Sequence, residues 1–180
     1  GPNTTKGSLR GRLKIEACGL IGDTHSVALV GRNGSIDWLC LPRFDSAACF
    51  AARLGDGENG CWKIAPDEEI TATRRSYRKG TLILETEFET AGGCARLIDC
   101  MPVRARDVDV VRVVQGVKGR VKMNMRLIVR FDYGSIMPWI RRLDDRLAAI
   151  AGPTRLRCWS GGVPHGEGVL AGQAFVETRG

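Results

Sequence analysis

The sequence is short of histidine, of clustered cysteine and of long apolar runs, and each shortage removes a class of function. Its longest uncharged stretches, 158–166 and 168–176, are nine residues each and rich in glycine, far below the ~18 or more apolar residues of a membrane-spanning helix. Lys6, Arg10, Arg12 and Lys14 lead only into the short segment Ala17–Gly22, which does not read as a secretory signal, so a cytoplasmic location is expected. Seven cysteines (Cys18, Cys40, Cys49, Cys61, Cys94, Cys100 and Cys158) include no C-x-x-C pair, and only His25 and His165 could join them. Zinc sites need clustered Cys and His at short spacings, and disulfide frameworks use even sets in small secreted chains. The expectation is reduced thiols, several acting as small core hydrophobes, with no metal and no cofactor. P-loop, dinucleotide-binding and nucleophile-elbow signatures are all missing. Neither histidine lies in a Ser-His-Asp signature, so no catalytic residue is assigned.

What is present is a chain of 180 residues, 43% hydrophobic, with 23 glycines and a formal charge of +7. That length suits one domain, or a domain plus a fragment, and the composition excludes disorder for the bulk of it. The charge invites a nucleic-acid reading, since phosphate neutralisation drives non-specific binding. However, the first fourteen residues hold four positive and no negative charges, which leaves only +3 for the rest. Residues 1–14 are read as a disordered tail whose Gly1-Pro2 start resembles a protease-cleavage scar, and neither nucleic acid nor membrane is expected as a partner.

The pattern from residue 20 onward is that of strands. Val27–Val30 and Ile36–Leu41 flank Asn33-Gly34, which predicts a hairpin over 26–41 with positive φ at both central residues of a type I′ turn. Ser46–Leu54, with Phe50 and Leu54 four apart, predicts a short helix ended by Gly55. Short strands are expected at Cys61–Ala65 and Ile70–Lys79. In Thr81–Thr90, Leu82, Leu84, Thr86 and Phe88 alternate with Glu85, Glu87 and Glu89, which places the acids on a solvated face. Cys94–Met101 follows, then a pair of strands, Val108–Lys118 and Val121–Phe131, divided by Gly119. Val121, Met123, Met125, Leu127 and Val129 alternate with Lys122, Asn124, Arg126 and Arg130, with Ile128 the exception, so the methionines belong to a core rather than to a cofactor site. Further strands are expected at Trp139–Arg142, Arg146–Ala151, Leu156–Trp159 and Gly168–Glu177, with turns at Asp144-Asp145, Gly152-Pro153 and Gly161-Gly162. About twelve strands and at most one short helix describe an all-β antiparallel sandwich.

Twenty acidic residues offer many carboxylate pairs, and most are explained by turns or solvated strand faces. Asp23, Asp37 and Asp45 stand apart because they share a polar and aromatic section with Trp38, Arg43 and Phe44. The run from Ile21 through Gly34-Ser35-Ile36-Asp37-Trp38-Leu39-Cys40-Leu41-Pro42-Arg43-Phe44-Asp45-Ser46 resembles the N-terminal domain of bacterial and archaeal glycoside hydrolase family 15 proteins, the trehalase-like and glucoamylase-like group. The resemblance continues through Ala48-Cys49-Phe50-Ala51, Thr81–Thr90, Asp99-Cys100-Met101-Pro102, Arg130-Phe131-Asp132-Tyr133-Gly134 and Pro138-Trp139, from Ile15 to about Val176.

The resemblance implies a β-supersandwich followed by a catalytic barrel of six helix pairs, which supplies both glutamates for inverting hydrolysis of an α-glucosidic bond, such as that of trehalose or an α-glucan. Residues 15–180 are accordingly expected to be the N-terminal β-sandwich, cut short at its C-terminal end, with the barrel absent and the chain alone inactive. The expected partner is that barrel, and an apolar barrel-facing surface would favour homo-oligomers. Trp38, Arg43, Phe44, Asp45, Asp132 and Tyr133 are the candidates for substrate binding or for the domain interface. An arginine and an aspartate beside an aromatic suit sugar hydroxyls and C–H surface. Equally, Arg43 and Asp45 could pair with each other while Trp38 and Phe44 pack in the core, and Asp132 could anchor a turn while Tyr133 stacks in an interface. An autonomous carbohydrate-binding or protein-interaction sandwich is the alternative reading. Thr24 and Ser26 flank His25 where the family's usual Cys and Thr would fit, and Ala17-Cys18-Gly19 replaces a more polar-aromatic start.

Overall fold

In a computed structural model the described residues are all-β. The structure describes residues 17–41, 43, 45, 48–50, 60–103 and 108–130, and beyond these the backbones of the strands between 139 and 177. Among the described residues fourteen strands follow in order: β1 Gly19–Gly22, β2 Val27–Val30, β3 Ser35–Cys40, β4 Ala48–Phe50, β5 Cys61–Pro66, β6 Ile70–Tyr77, β7 Leu84–Thr90, β8 Gly93–Cys100, β9 Val111–Ile128, β10 Trp139–Leu143, β11 Arg146–Ala151, β12 Thr154–Trp159, β13 Val163–Pro164 and β14 Val169–Glu177. All pairings are antiparallel. A large sheet runs β1-β2-β3-β5-β9-β8-β7-β6, with β4 on β3, β14 on β9 and β13 on β14, while β10-β11-β12 form a separate meander.

The sheet curls over so that its two halves share a core. Ile21, Ala28, Val30, Ile36, Leu39 and Phe50 from the first strands pack with Leu84 of β7, Met101, Leu127 and Val129. A second cluster joins Ile64 of β5, Val121 and Met123 of β9 to Phe88, Ala95 and Leu97 of β7 and β8. Trp62 packs against both. Burial of this kind, at roughly 25 cal/mol per Å² of apolar surface, is the main stabilising term.

The curl also brings the end strands together. The Tyr77 hydroxyl at the end of β6 accepts the Leu20 N–H at 2.8 Å and donates to the Leu20 carbonyl at 3.0 Å. Arg75 donates to the Val30 carbonyl at 2.9 Å and to the Ala17 carbonyl at 2.6 Å. Main-chain groups on the β1 edge that would otherwise invite another strand are thereby satisfied by side chains.

The 26–41 hairpin is present as β2 and β3, with a different turn. Gly34 donates its N–H to the Gly31 carbonyl at 3.0 Å and Gly31 donates to Ser35 at 2.8 Å. Of the loop residues 32–34 only Gly34 has positive φ, at 75°. This is a three-residue loop with glycine in the left-handed position, not a two-residue type I′ turn. The helix expected over Ser46–Leu54 is also corrected. Its described part, Ala48–Phe50, is strand β4, paired Leu39↔Phe50 and Cys40↔Ala48, because Ala48 and Phe50 each find buried partners across the sheet. The remainder of that segment lies outside the described residues, as do the turns at Asp144-Asp145, Gly152-Pro153 and Gly161-Gly162.

The expected pair Val108–Lys118 and Val121–Phe131 is one 18-residue strand, β9. Gly119 does not reverse the chain. At φ 64° it re-aims the strand where it passes close to Gly92 and Gly93, beside a bulge at Val117 opposite Cys94 and Ala95. In β7 the alternation holds for Leu84, Thr86, Phe88 and Thr90, which are buried, with Glu85, Glu87 and Glu89 on the other face. Leu82 falls before the strand and is 53% exposed.

Candidate functional site

The candidates converge on the end of β3, and a bulge decides which way they face. Leu29 pairs with Trp38 and Val30 with Ile36, so Asp37 is an extra residue on β3. The bulge sends both Ile36 and Leu39 into the core despite their odd spacing. Trp38 and Cys40 take the opposite face, where they form a separate small cluster with Ala48. Trp38 is therefore half-buried and outside the main core. Burial pushes the Cys40 thiol up, against a smaller downward pull from a Trp38 hydrogen bond, so it rests as a neutral thiol. Beyond β3, Arg43 donates from Nε to Asp45 Oδ1 at 3.1 Å, both exposed. These two expected site residues are brought together, engaged with each other. Phe44, Asp132 and Tyr133 lie outside the described residues.

One hydrogen-bonded turn supports this end of the sheet. Asp23, 1% exposed, accepts the N–H groups of His25 at 3.0 Å and Ser26 at 2.7 Å, holding Thr24 at φ 78°. An aspartate bonding the backbone two and three residues ahead is the usual device for such a turn. Ser26 Oγ then donates to the Cys40 carbonyl, tying the β1-β2 turn to the end of β3. Ser35 Oγ donates to Asp37 at the bulge. His25 is exposed, with Thr24 Oγ1 3.1 Å from its Nδ1.

A buried ion pair joins β8 to β9. Asp99 on β8 and Arg112 on β9 stand opposite each other with side chains wholly buried. Arg112 Nε donates to Asp99 Oδ1 at 2.7 Å and Nη2 to Oδ2 at 3.3 Å. It also donates to the Gly34 carbonyl at 2.8 Å and to the Trp62 carbonyl, with the guanidinium 5.3 Å from the Trp62 ring centroid. Arginine's planar fork, a paired carboxylate and an aromatic face are the arrangement that makes a buried cation tolerable. Its signal in the sequence is that Asp99 continues the inward-facing series Ala95 and Leu97. All of its described partners are internal, so it clamps the β2-β3 turn to the other half of the sheet.

On the outer face of β6 to β8, Arg74, Arg78 and Arg96 interleave with Glu85, Glu87 and Glu89. These are cross-strand pairs on a solvated face. Among the described residues no three His, Cys, Asp or Glu gather as a metal site would require, and none of Cys18, Cys40, Cys61, Cys94 or Cys100 is in a disulfide. No helix among the described residues is long and apolar enough to cross a membrane.

The family model described as trehalase-like, N-terminal, matches residues 8–166. The chain belongs to this trehalase-like N-terminal family. Trehalase 1 of Sulfolobus acidocaldarius is 33% identical over 148 residues, covering 82% of this chain and 25% of the relative. The trehalase of Thermoplasma volcanium is 31% identical over 141 residues, 75% of this chain and 23% of that protein. The trehalase of Mycobacterium tuberculosis is 28% identical over 132 residues, covering 63% and 19%. This trehalase-like domain thus spans about a quarter of the length of the curated relatives it matches. No solved structure matches it.

Proposed function

We propose that this chain is the noncatalytic β-sandwich domain of a glycoside hydrolase of the family 15 type, acting in the cytoplasm on an α-glucosidic bond such as that of trehalose or an α-glucan. The observation that carries this reading is the lopsided coverage: four-fifths of this chain corresponds to a quarter of a trehalase, and its described residues offer a braced scaffold without a gathered set of reacting groups. The chemistry belongs to a partner, the helical barrel of the same parent protein, and this domain supports it. Residues 15–180 form the domain, after a tail over 1–14.

In this reading the surface beyond β3, with Trp38, Arg43, Phe44 and Asp45, and the segment holding Asp132 and Tyr133, faces the barrel or walls its sugar site. Trp38 offers apolar ring surface outside the main core, and the exposed Arg43–Asp45 pair can exchange its mutual bond for hydroxyls at little cost, since such surface pairs are worth ~1 kcal/mol or less. The test is calorimetric titration of the isolated chain with trehalose and with maltodextrin. No heat of binding is expected for either, because one wall of a site lacks the enclosure that affinity requires. Saturable binding that disappears in a folded Trp38→Ala variant would replace this reading with an autonomous carbohydrate-binding sandwich.

A further inference from the structure

The two flanks of β9 are covered unequally. Along one flank β5 pairs with residues 123–128 and β8 with 111–119. These two lie end to end on the same side, since Lys122 accepts from Asp67 and Arg120, two residues away, donates to Gly92. The other flank carries β14, whose pairing stops at Glu177↔Arg120. Among the described residues no strand pairs with that flank from Val111 to Gly119. Val111, Val113 and Val117 are 38%, 47% and 36% exposed there. Arg112 has a wholly buried side chain and is still half-buried as a residue, so its exposure is main chain. The β1 edge is capped by Tyr77 and Arg75, whereas this edge is open, uncharged from Val113 to Val117 on its exposed face, and free of proline.

We infer that this edge of β9 is a docking surface for a second copy of the chain, pairing β9 antiparallel to β9 of its partner about a twofold axis at Val114. Antiparallel self-pairing is isologous, so a contact made once is made twice. The sequence suits that register. Val111 meets Val117 of the other copy, Val113 meets Gln115, and no like charges oppose. Asp109 and Lys118 are exposed and form no ion pair with each other or with any described residue. Across the axis, Asp109 of one copy comes to the same end of the seam as Lys118 of the other, just past the bulge at Val117, and does so at both ends. Opposite charges at the ends and valines between are complementary under this one operation. A strand pair of this length covers less area than a stable dimer needs, on the order of 1,200 Å² or more, which makes it a transient association.

The experiment is sedimentation velocity of the 180-residue chain over a wide concentration range at low salt, with circular dichroism of every variant. Reversible dimerisation with a dissociation constant above about 10 µM is expected. Val113→Glu weakens it by about tenfold or more, whereas Val103→Glu, at a position before β9 that is 83% exposed, leaves it unchanged. Asp109→Lys and Lys118→Asp each weaken it, and the double exchange restores it, because the two charges meet only between copies. A chain that stays monomeric throughout overturns the inference. So does a dimer indifferent to Val113→Glu, or a double exchange no better than the single ones. Sugar titration of the same protein reads the function proposed above independently.

Discussion

Asp99 and Arg112 show how one pair of residues can hold two halves of a sheet in place. Both side chains are wholly buried, and Arg112 satisfies two carbonyls besides its carboxylate. Burying both ions costs solvation, so the pair's net contribution is small, while removing one partner strands the other at a cost of about 3–5 kcal/mol. Chemical denaturation of Asp99→Ala should show a loss of that size, and Asp99→Ala with Arg112→Met should recover part of it. Glu87 behaves differently because it is near solvent. Hydrogen bonds from Arg96, at 2.6 and 3.0 Å, hold its carboxyl below the usual range near 4.5, outweighing burial, with Arg74 adding to the effect. A depressed folded value stabilises above the unfolded one and loses that stability as pH falls through the folded one. Wild type should therefore lose more stability than Glu87→Gln between about pH 5 and 3, by under ~1 kcal/mol because the pair is partly screened. Urea midpoints across that interval measure the difference.

At the scale of elements, two glycines with nearly the same φ make opposite demands. Gly34 at φ 75° has the Ile64 carbonyl oxygen 2.1 Å from where a Cβ would sit, and Gly80 at φ 72° has nothing within 4 Å. Gly80→Ala should cost about 1 kcal/mol from backbone strain alone. Gly34→Ala must also displace β5, so its thermal midpoint should fall by several times as much. The same turn shows what local patterning can and cannot reveal. Asn33-Gly34 announces a hairpin, but turn type depends on how Gly34 is seated against Ile64, a residue 30 positions away. The alternation of Leu84 to Thr90 was legible because one face meets the core and the other meets water. Ala48–Phe50 was not, because three residues cannot distinguish strand from helix, and β3 supplies the pairing that decides. Gly119 reads as a turn from sequence alone, yet the pairing of β8 and β5 along one flank keeps β9 continuous through it.

For the whole molecule, the antiparallel all-β class follows from recurrent β-rich runs separated by Gly, Pro and Asx turns, and the family follows from the long string through Gly34 and Ser46. The closure of the sheet by Tyr77 and Arg75 was not legible, since both are polar residues on an edge strand whose role depends on the curl. The candidate site was legible as a neighbourhood. The β3 bulge at Asp37 then sets Trp38 outside the main core, and Arg43 and Asp45 take each other as partners. Under the proposed function, a domain with this architecture, spanning a quarter of its trehalase relatives, supports chemistry performed elsewhere. The most direct test of that claim is glucose release from trehalose by the 180-residue chain alone, with Trehalase 1 of Sulfolobus acidocaldarius assayed alongside at the same molar concentration. The account predicts release by the relative and none above the blank by this chain; reproducible turnover by the purified chain would contradict it.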